Sequence, residues 1–205
     1  DRGDRVDTRY RYQLWQLLFV LCSTPEFAEL PVRHNEEHLN MQLAEELCVL
    51  MGDAPRDECS ALSFISRRSS FESPHCKAFL LLLAHSESAP LPISDYINDT
   101  KTVLDQVARV SKAMVDVAGE EGLLDIVLRL AYLGQTLVQA LPIGAHQLRQ
   151  LPGVSAEAAD LFAARGVRCL HDMLLLPAHK ANQLAAECLL GRSQGQGQRG
   201  ERGER

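Results

Sequence analysis

The sequence predicts an all-α protein, on three observations. Apolar residues recur at helical spacing along most of the chain, no credible run of alternating strand residues appears, and the strongest apolar segment is bounded by turn-forming residues. Tyr12, Trp15, Leu18 and Cys22 form a first stripe. Leu39, Leu43, Leu47 and Leu50 form a second, with Asn35 or Asn40 placed to begin its helix. Residues 51–73 read as a long polar connection. The segment Lys77 to His85 is apolar all round and is expected at the centre of a bundle, ending before Pro90 and Pro92. A long helix is predicted from about Thr100 to Ala118. Its inner stripe is Val103, Leu104, Val107, Val110, Met114 and Val117 or Ala118, and Thr100 or Thr102 is placed to cap it. A fifth helix runs from Leu123 to Leu141 and stops at Pro142.

Residues 144–166 read as a short helix, a tight Leu-Pro-Gly-Val turn and a second helix beginning at Ser155. Such a helix–hairpin–helix can dock a nucleic-acid backbone through its turn, here Pro152, Gly153 and Val154. Ser155 and Glu157 stand where a second glycine and a lysine would favour that contact, so packing is the stronger reading. One or two further helices are expected over residues 168–190. The expected organisation is a charged segment at 1–11, a helical bundle at 12–141, the hairpin and terminal helices at 142–190, and a disordered Gly/Gln/Arg/Glu tail at 191–205.

Several functions are disfavoured. The 205 residues carry a formal net charge of −6, the wrong sign for binding nucleic acid through a broad basic surface, so any such contact must be local. No apolar run approaches the roughly 20 residues of a membrane span, and the charged N-terminus does not read as a signal peptide, which leads us to expect an intracellular chain. Six scattered cysteines without a C-x-x-C pair argue for reduced core residues rather than a disulfide framework or a zinc ribbon. No phosphate loop, D-E-x-H box or G-x-S-x-G elbow occurs. One catalytic pattern remains. HNEEH (residues 34–38) places His34 and His38 four apart with Glu37 between them, the H-x-x-E-H spacing of one class of zinc peptidases. It lacks an identifiable third ligand, and a role at the start of a helix outweighs metal binding. No catalytic or metal-binding residue is therefore assigned.

On the exposed side of the long helix lie Asp105, Arg109, Lys112 and Asp116, whose simplest role is two solvated i,i+4 pairs, Asp105 with Arg109 and Lys112 with Asp116. A resemblance changes the weight of that reading. The segments ELPVRHNEEHLN (29–40), SFESPHCKAFLLLLAH (70–85), LPISDYINDTKTVLDQVARVSKAMVDVAGEEGLL (91–124) and LRQLPGVSAEAADLF (148–162) follow one another in this order. Together they resemble the Sec sixty-three homology domain of the large superfamily-two (DExH) helicases. The branch containing the activating signal cointegrator complex helicase is the best match, and the spliceosomal Brr-two helicase comes next.

The resemblance implies a helical bundle, then a helix–hairpin–helix, then a β-sandwich that this chain lacks. It also implies a non-catalytic accessory domain that packs on helicase motor domains in cis and guides single-stranded RNA or DNA along a ratchet-type helix. Carried over by position, Arg109 and Lys112 become candidate strand contacts, with Gln106 and Lys101 as weaker ones. The chain itself would need no cofactor, ATP and Mg belonging to the parent's motor domains. A nuclear location follows, with the cytoplasm second. The chain departs from the family where LAHSES (83–88), EGLL (121–124) and residues 140–142 stand in place of an arginine and two tryptophans. Those departures fit the competing reading, a protein-interaction module that binds regulators or complex subunits.

Overall fold

The computed structural model describes residues 8–53 and 60–190. These residues are all-helical and contain no strand. Two compact units are distinguished, Asp7–Gly144 and a second that takes up the chain from Ala145.

In the first unit, α1 (Thr8–Cys22) begins inside the segment expected to precede the bundle, and its inner face buries Leu14, Trp15, Leu18, Leu21 and Cys22. A 3₁₀ turn at Pro25–Phe27 inserts Phe27 into the core. Helix α2 (Glu36–Leu50) starts after Asn35, whose left-handed backbone (φ 71°) turns the chain into the helix. Asn40, the alternative start, is buried mid-helix instead, and Leu50 lies outside the buried stripe.

The expected polar connection at 51–73 hides a short helix, α3 (Ala61–Ser66). Ser60 caps it by accepting from the Ser63 N–H at 3.2 Å. Phe64 and Ile65 are fully buried, and the Phe64 ring stacks on Phe79 at 5.5 Å while meeting Tyr12, Trp15 and Phe19 edge-on. Residues 54–59 of that connection lie outside the described residues.

Helix α4 (Pro74–Glu87) is the hub, packing against α1, α2, α5 and α6. Ser73 caps it with Pro74 at the first position, and every residue from Cys76 to Ala84 is buried, as its all-round apolarity requires. Helix α5 (Asp95–Glu120) is longer than predicted. Thr100 and Thr102 do not cap it: their hydroxyls donate back to the carbonyls of Tyr96 and Asn98 within the helix. The helix starts earlier because Pro92 stops obstructing it two residues on, and Ala118 rather than Val117 completes the buried stripe. Helix α6 (Leu124–Val138) packs along α5.

In the second unit, Leu148, Ala159, Phe162, Val167 and Cys188 form a small separate core. It is built by a 3₁₀ turn (Gln147–Gln150), α7 (Ala156–Ala164), α8 (Leu170–Leu175) and α9 (Ala178–Leu190). The expected first helix of the hairpin is only this single turn, because Leu151 is held extended (ψ 138°) by the proline that follows it. The tail from residue 191 and the first seven residues lie outside the described residues. No described helix is long and apolar enough to cross a membrane.

Candidate nucleic-acid interface

Three sequence segments far apart in the chain meet at the start of α5. The Lys77 side chain, fully buried, donates to Glu36 Oε2 at 2.7 Å and to the Pro31 carbonyl at 2.7 Å, and its Nζ lies 2.7 Å from Asp99 Oδ2. Arg33 closes the cluster from outside. Its Nη1 donates to Glu36 Oε1 at 2.8 Å and to Asp99 Oδ2 at 3.0 Å, its backbone N–H donates to Glu36 Oε2 at 3.0 Å, and its Nε lies 3.5 Å from Asp95. Next to it, the Tyr96 hydroxyl donates to Asn40 Oδ1, whose amide donates to the Phe71 carbonyl, both at 2.7 Å. The Lys77 ammonium also sits 4.7 Å over the Tyr96 ring.

The electrostatics follow from this geometry. Burial pushes the Glu36 and Asp99 carboxyls up, but their bonds to Lys77 and Arg33 outweigh it, and both end below the usual carboxylate range. Those same bonds, Asp99 first, raise the Arg33 guanidinium. Burial first, and then the neighbouring carboxylates, raise the Tyr96 hydroxyl. Each buried charge therefore has a partner, the condition under which buried ions are tolerated. The cluster fixes where α5 begins and how it is rotated.

That rotation decides which side chains α5 exposes. Val103, Val107, Val110 and Ala118 face the core, which leaves Lys101, Asp105, Arg109, Lys112 and Asp116 exposed on the other side and Gln106 half-buried at its flank. Lys101, Arg109 and Lys112 span about 16 Å of helix at 1.5 Å per residue. The expected pairing of Arg109 with Asp105 is replaced: Arg109 Nη2 donates to Gln106 Oε1 at 2.8 Å and lies 4.0 Å from Glu26 of the first 3₁₀ turn. Nor is the second expected pair seen, since Lys112 and Asp116 make no ion pair among the described residues.

The hairpin offers less. Gly153 is exposed with φ 78°, a left-handed conformation that explains the glycine, and nothing lies within 4 Å of where a Cβ would sit. Pro152 is exposed and Val154 is half-buried against the small core. The Val154 N–H, however, donates to the Leu151 carbonyl at 3.2 Å, and Ser155 caps α7 while its hydroxyl donates to Glu157 at 2.8 Å. A carboxylate thus occupies the helix N-terminus where a phosphate would dock.

The HNEEH spacing does not produce a metal site. His34 lies before α2 starts and His38 within it, so the two do not share a helix face, and the buried carboxylate is Glu36 rather than Glu37. Among the described residues no group of three or more His, Cys, Asp or Glu is arranged to hold a metal ion.

The profile of the Sec63 Brl domain matches residues 7–168. The chain belongs to the Sec63 Brl domain family. Among its relatives, activating signal cointegrator 1 complex subunit 3 of Homo sapiens is 42% identical over 147 residues, 72% of this chain and 6% of that protein. The Dictyostelium discoideum protein of the same name is 36% identical over 171 residues, covering 80% and 7%. The DExH-box ATP-dependent RNA helicase DExH14 of Arabidopsis thaliana is 35% identical over 161 residues, covering 78% and 7%. The chain thus spans less than a tenth of the relatives it matches, and corresponds to one region of helicase subunits.

Within this Sec63 Brl domain, the polar residues of the recognisable segments are mostly spent on the fold. Nothing local in the sequence marks Lys77, Glu36, Asp99 and Tyr96 as partners. The available signal was a lone lysine in an otherwise apolar helix, which calls for a buried counter-charge. In the turn after the long helix, Leu123 and Leu124 stand exposed. With Leu128 and Val138 they leave an apolar stripe on the outer face of α6.

Proposed function

We infer that this domain is a non-catalytic accessory part of an ATP-dependent helicase that guides a single strand along α5 while the bundle packs on the motor domains. One observation carries the reading. The buried Lys77–Glu36–Asp99–Arg33 cluster fixes a long helix whose outer face presents Lys101, Arg109 and Lys112, with Gln106 orienting Arg109. Cations on a rigid helix can hold phosphates in register at little entropic cost, and a few suffice where other domains supply the rest of a channel. This reconciles strand contact with a net charge of −6. The hairpin residues Pro152, Gly153 and Val154 contribute packing and at most a backbone contact. The printed name of one relative, an ATP-dependent RNA helicase, supports RNA over DNA as the strand; ATP and Mg would belong to the parent's motor domains, and the parent would act in the nucleus, with the cytoplasm second.

The test uses the full-length parent helicase. Replacing Arg109 and Lys112 together by Glu is expected to lower both unwinding and single-strand crosslinking, with ATP hydrolysis in the absence of nucleic acid unchanged. Unchanged unwinding and crosslinking would refute strand guidance. The second reading, a protein-interaction module, is favoured by the exposed stripe Leu124, Leu128 and Val138 beside Leu123. Charged substitutions there would then release a complex subunit while leaving crosslinking intact.

A further inference from the structure

Helix α6 carries more apolar surface than the fold covers. Its sequence, LDIVLRLAYLGQTLV, has two charged residues in fifteen, Asp125 and Arg129, and they pair with each other at 2.8 Å. A helix that is apolar on both faces calls for cover on both. The bundle supplies one cover, burying Leu130, Leu133, Thr136 and Leu137. On the other side Leu124, Leu128, Ala131, Gln135 and Val138 recur at intervals of four, three, four and three, and all five are exposed. That is the spacing of a seam which packs a second helix, and it runs about 21 Å along the axis. Gly134 lies beside the seam, where a Cβ would meet nothing within 4 Å. Packing within the chain does not require this glycine, and its missing side chain leaves room for close approach.

The end of this seam nearest the turn between α5 and α6 is acidic. From Ala113 to Leu128 the chain carries Asp116, Glu120, Glu121 and Asp125 and no lysine, arginine or histidine. Glu120 is the last residue of α5 and Glu121 its C-cap, where the helix dipole favours cations, yet the last turn contains none. Both glutamates are exposed, and neither makes an ion pair among the described residues. The fold thus leaves two carboxylates at an unfavourable position, flanked in the chain by exposed Val117, Leu123 and Leu124.

We propose that the outer face of α6 docks a basic amphipathic helix of another protein, whose apolar anchors follow the same alternating spacing and whose lysines or arginines lie at one end, against Glu120 and Glu121. The proposal rests on the protein-interaction reading of this stripe and is independent of strand guidance on α5. A helix accommodates cations best in its last turn, so the partner's C-terminal end lies at the turn between α5 and α6, and the partner runs antiparallel to α6. A second copy of this chain is a poor occupant. Paired in parallel, the two acidic ends would repel each other; paired antiparallel, each would meet residues 135–142, which carry no cation. A nucleic-acid strand is repelled by the same carboxylates.

The probe is an acetylated and amidated peptide of about 18 residues, with leucines at the seam spacing, alanine and glutamine elsewhere, and lysines in its last turn. A control peptide has glutamates in place of those lysines. Binding is read by fluorescence anisotropy at low salt, to the full chain with its fold checked by circular dichroism and to the full-length parent helicase. The lysine peptide is expected to bind both proteins at least about tenfold more tightly than the glutamate peptide, and to lose that preference as salt is raised. Leu124→Gln/Leu128→Gln should weaken its binding at least about tenfold, and Glu120→Lys/Glu121→Lys should reverse the preference between the peptides. All four substituted positions are exposed, so the circular dichroism should not change. Equal affinities for the two peptides, or a preference unmoved by the charge reversal, overturn the basic partner while leaving the protein-interaction reading standing. Absence of binding to the full chain also overturns the proposal. So does binding to the chain but not to the parent, which would mean that the parent itself covers the seam, or dimerisation of the chain that Leu124→Gln/Leu128→Gln abolishes, which would mean that a second copy does. None of these outcomes bears on strand guidance, which is tested separately.

Discussion

Replacing Lys77 by Met tests the central cluster most directly. Methionine keeps most of the buried aliphatic stem but removes the ammonium that lies 2.7 Å from each of Glu36 and Asp99. Two carboxylates, 2% and 8% exposed, are then left with Arg33 alone. Stripping one partner from a buried ion pair costs about 3–5 kcal/mol, and the remaining Arg33 contacts place the expected loss near the low end, about 3 kcal/mol. For a unit of this size that is a fall in melting temperature of roughly 6–12 °C.

The pH dependence supplies the sharper check. In the native protein both carboxyls lie below their usual values, so their contribution is present above the unfolded carboxylate range and is lost as pH falls through the lower folded values. Without Lys77 burial is no longer outweighed, the folded values rise, and the carboxyls escape the penalty by taking up protons. The difference between Lys77→Met and native should therefore be largest near pH 7 and should shrink as pH approaches about 4, the unfolded carboxylate range. Urea titrations at several pH values measure it, with Lys77→Met/Asp99→Asn expected to regain part of the loss. A difference below about 1 kcal/mol that is flat with pH would refute the reasoning, since it would lie within the range of an exposed pair.

Two further outcomes follow. Phe64→Ala should destabilise the first unit by about 3–5 kcal/mol in urea unfolding, because it empties the centre of a cluster of four aromatic rings, whereas a residue in a solvated loop would cost almost nothing. Glu26→Gln should tighten single-strand binding by the parent helicase roughly two- to fivefold at low salt, since the carboxylate 4.0 Å from Arg109 competes with phosphate for the same cation. Equal affinities for native and Glu26→Gln, in a protein that Arg109→Glu does weaken, would show that Glu26 plays no such role.

The sequence made the apolar skeleton readable because each helix carries its own evidence. The run from Cys76 to Ala84 can only be buried, and the stripe Val103, Val107 and Val110 repeats often enough to define a face. Helix α3 is not legible in the sequence because six residues are too short for a period to show, and because Ser63 and Ser66 dilute Phe64 and Ile65. The cluster around Lys77 was hidden for a different reason. Arg33 and Asp99 are 66 residues apart, and no local pattern tells a charge that faces water from one that faces a distant counter-charge. The same blindness produced the expected Asp105–Arg109 pair, which competes with Gln106 and Glu26 once the turn at Pro25–Phe27 is folded beside α5.

Charge in this domain is divided by depth, and that division bears on how it can work. The cluster at the start of α5 sets Lys77 and Arg33 against buried Glu36 and Asp99, with Asp95 at its exposed rim, so its buried charges are matched and it adds rigidity without projecting much field. The exposed face of α5 carries three cations interleaved with Asp105 and Asp116, a mixed surface that, under the proposed strand guidance, would give a phosphate a partner only where a cation points and would repel it between those points. A uniformly basic helix would hold a strand tightly at every register and would resist its movement. Sparse cations on an immobile helix favour discrete, weak and repeated contacts, which suit a strand that another part of the protein is pulling. The buried cluster would matter for such guidance because the spacing of the contacts would be only as constant as the helix is rigid, and a charge network linking α2, α4 and α5 makes rotation of α5 costly.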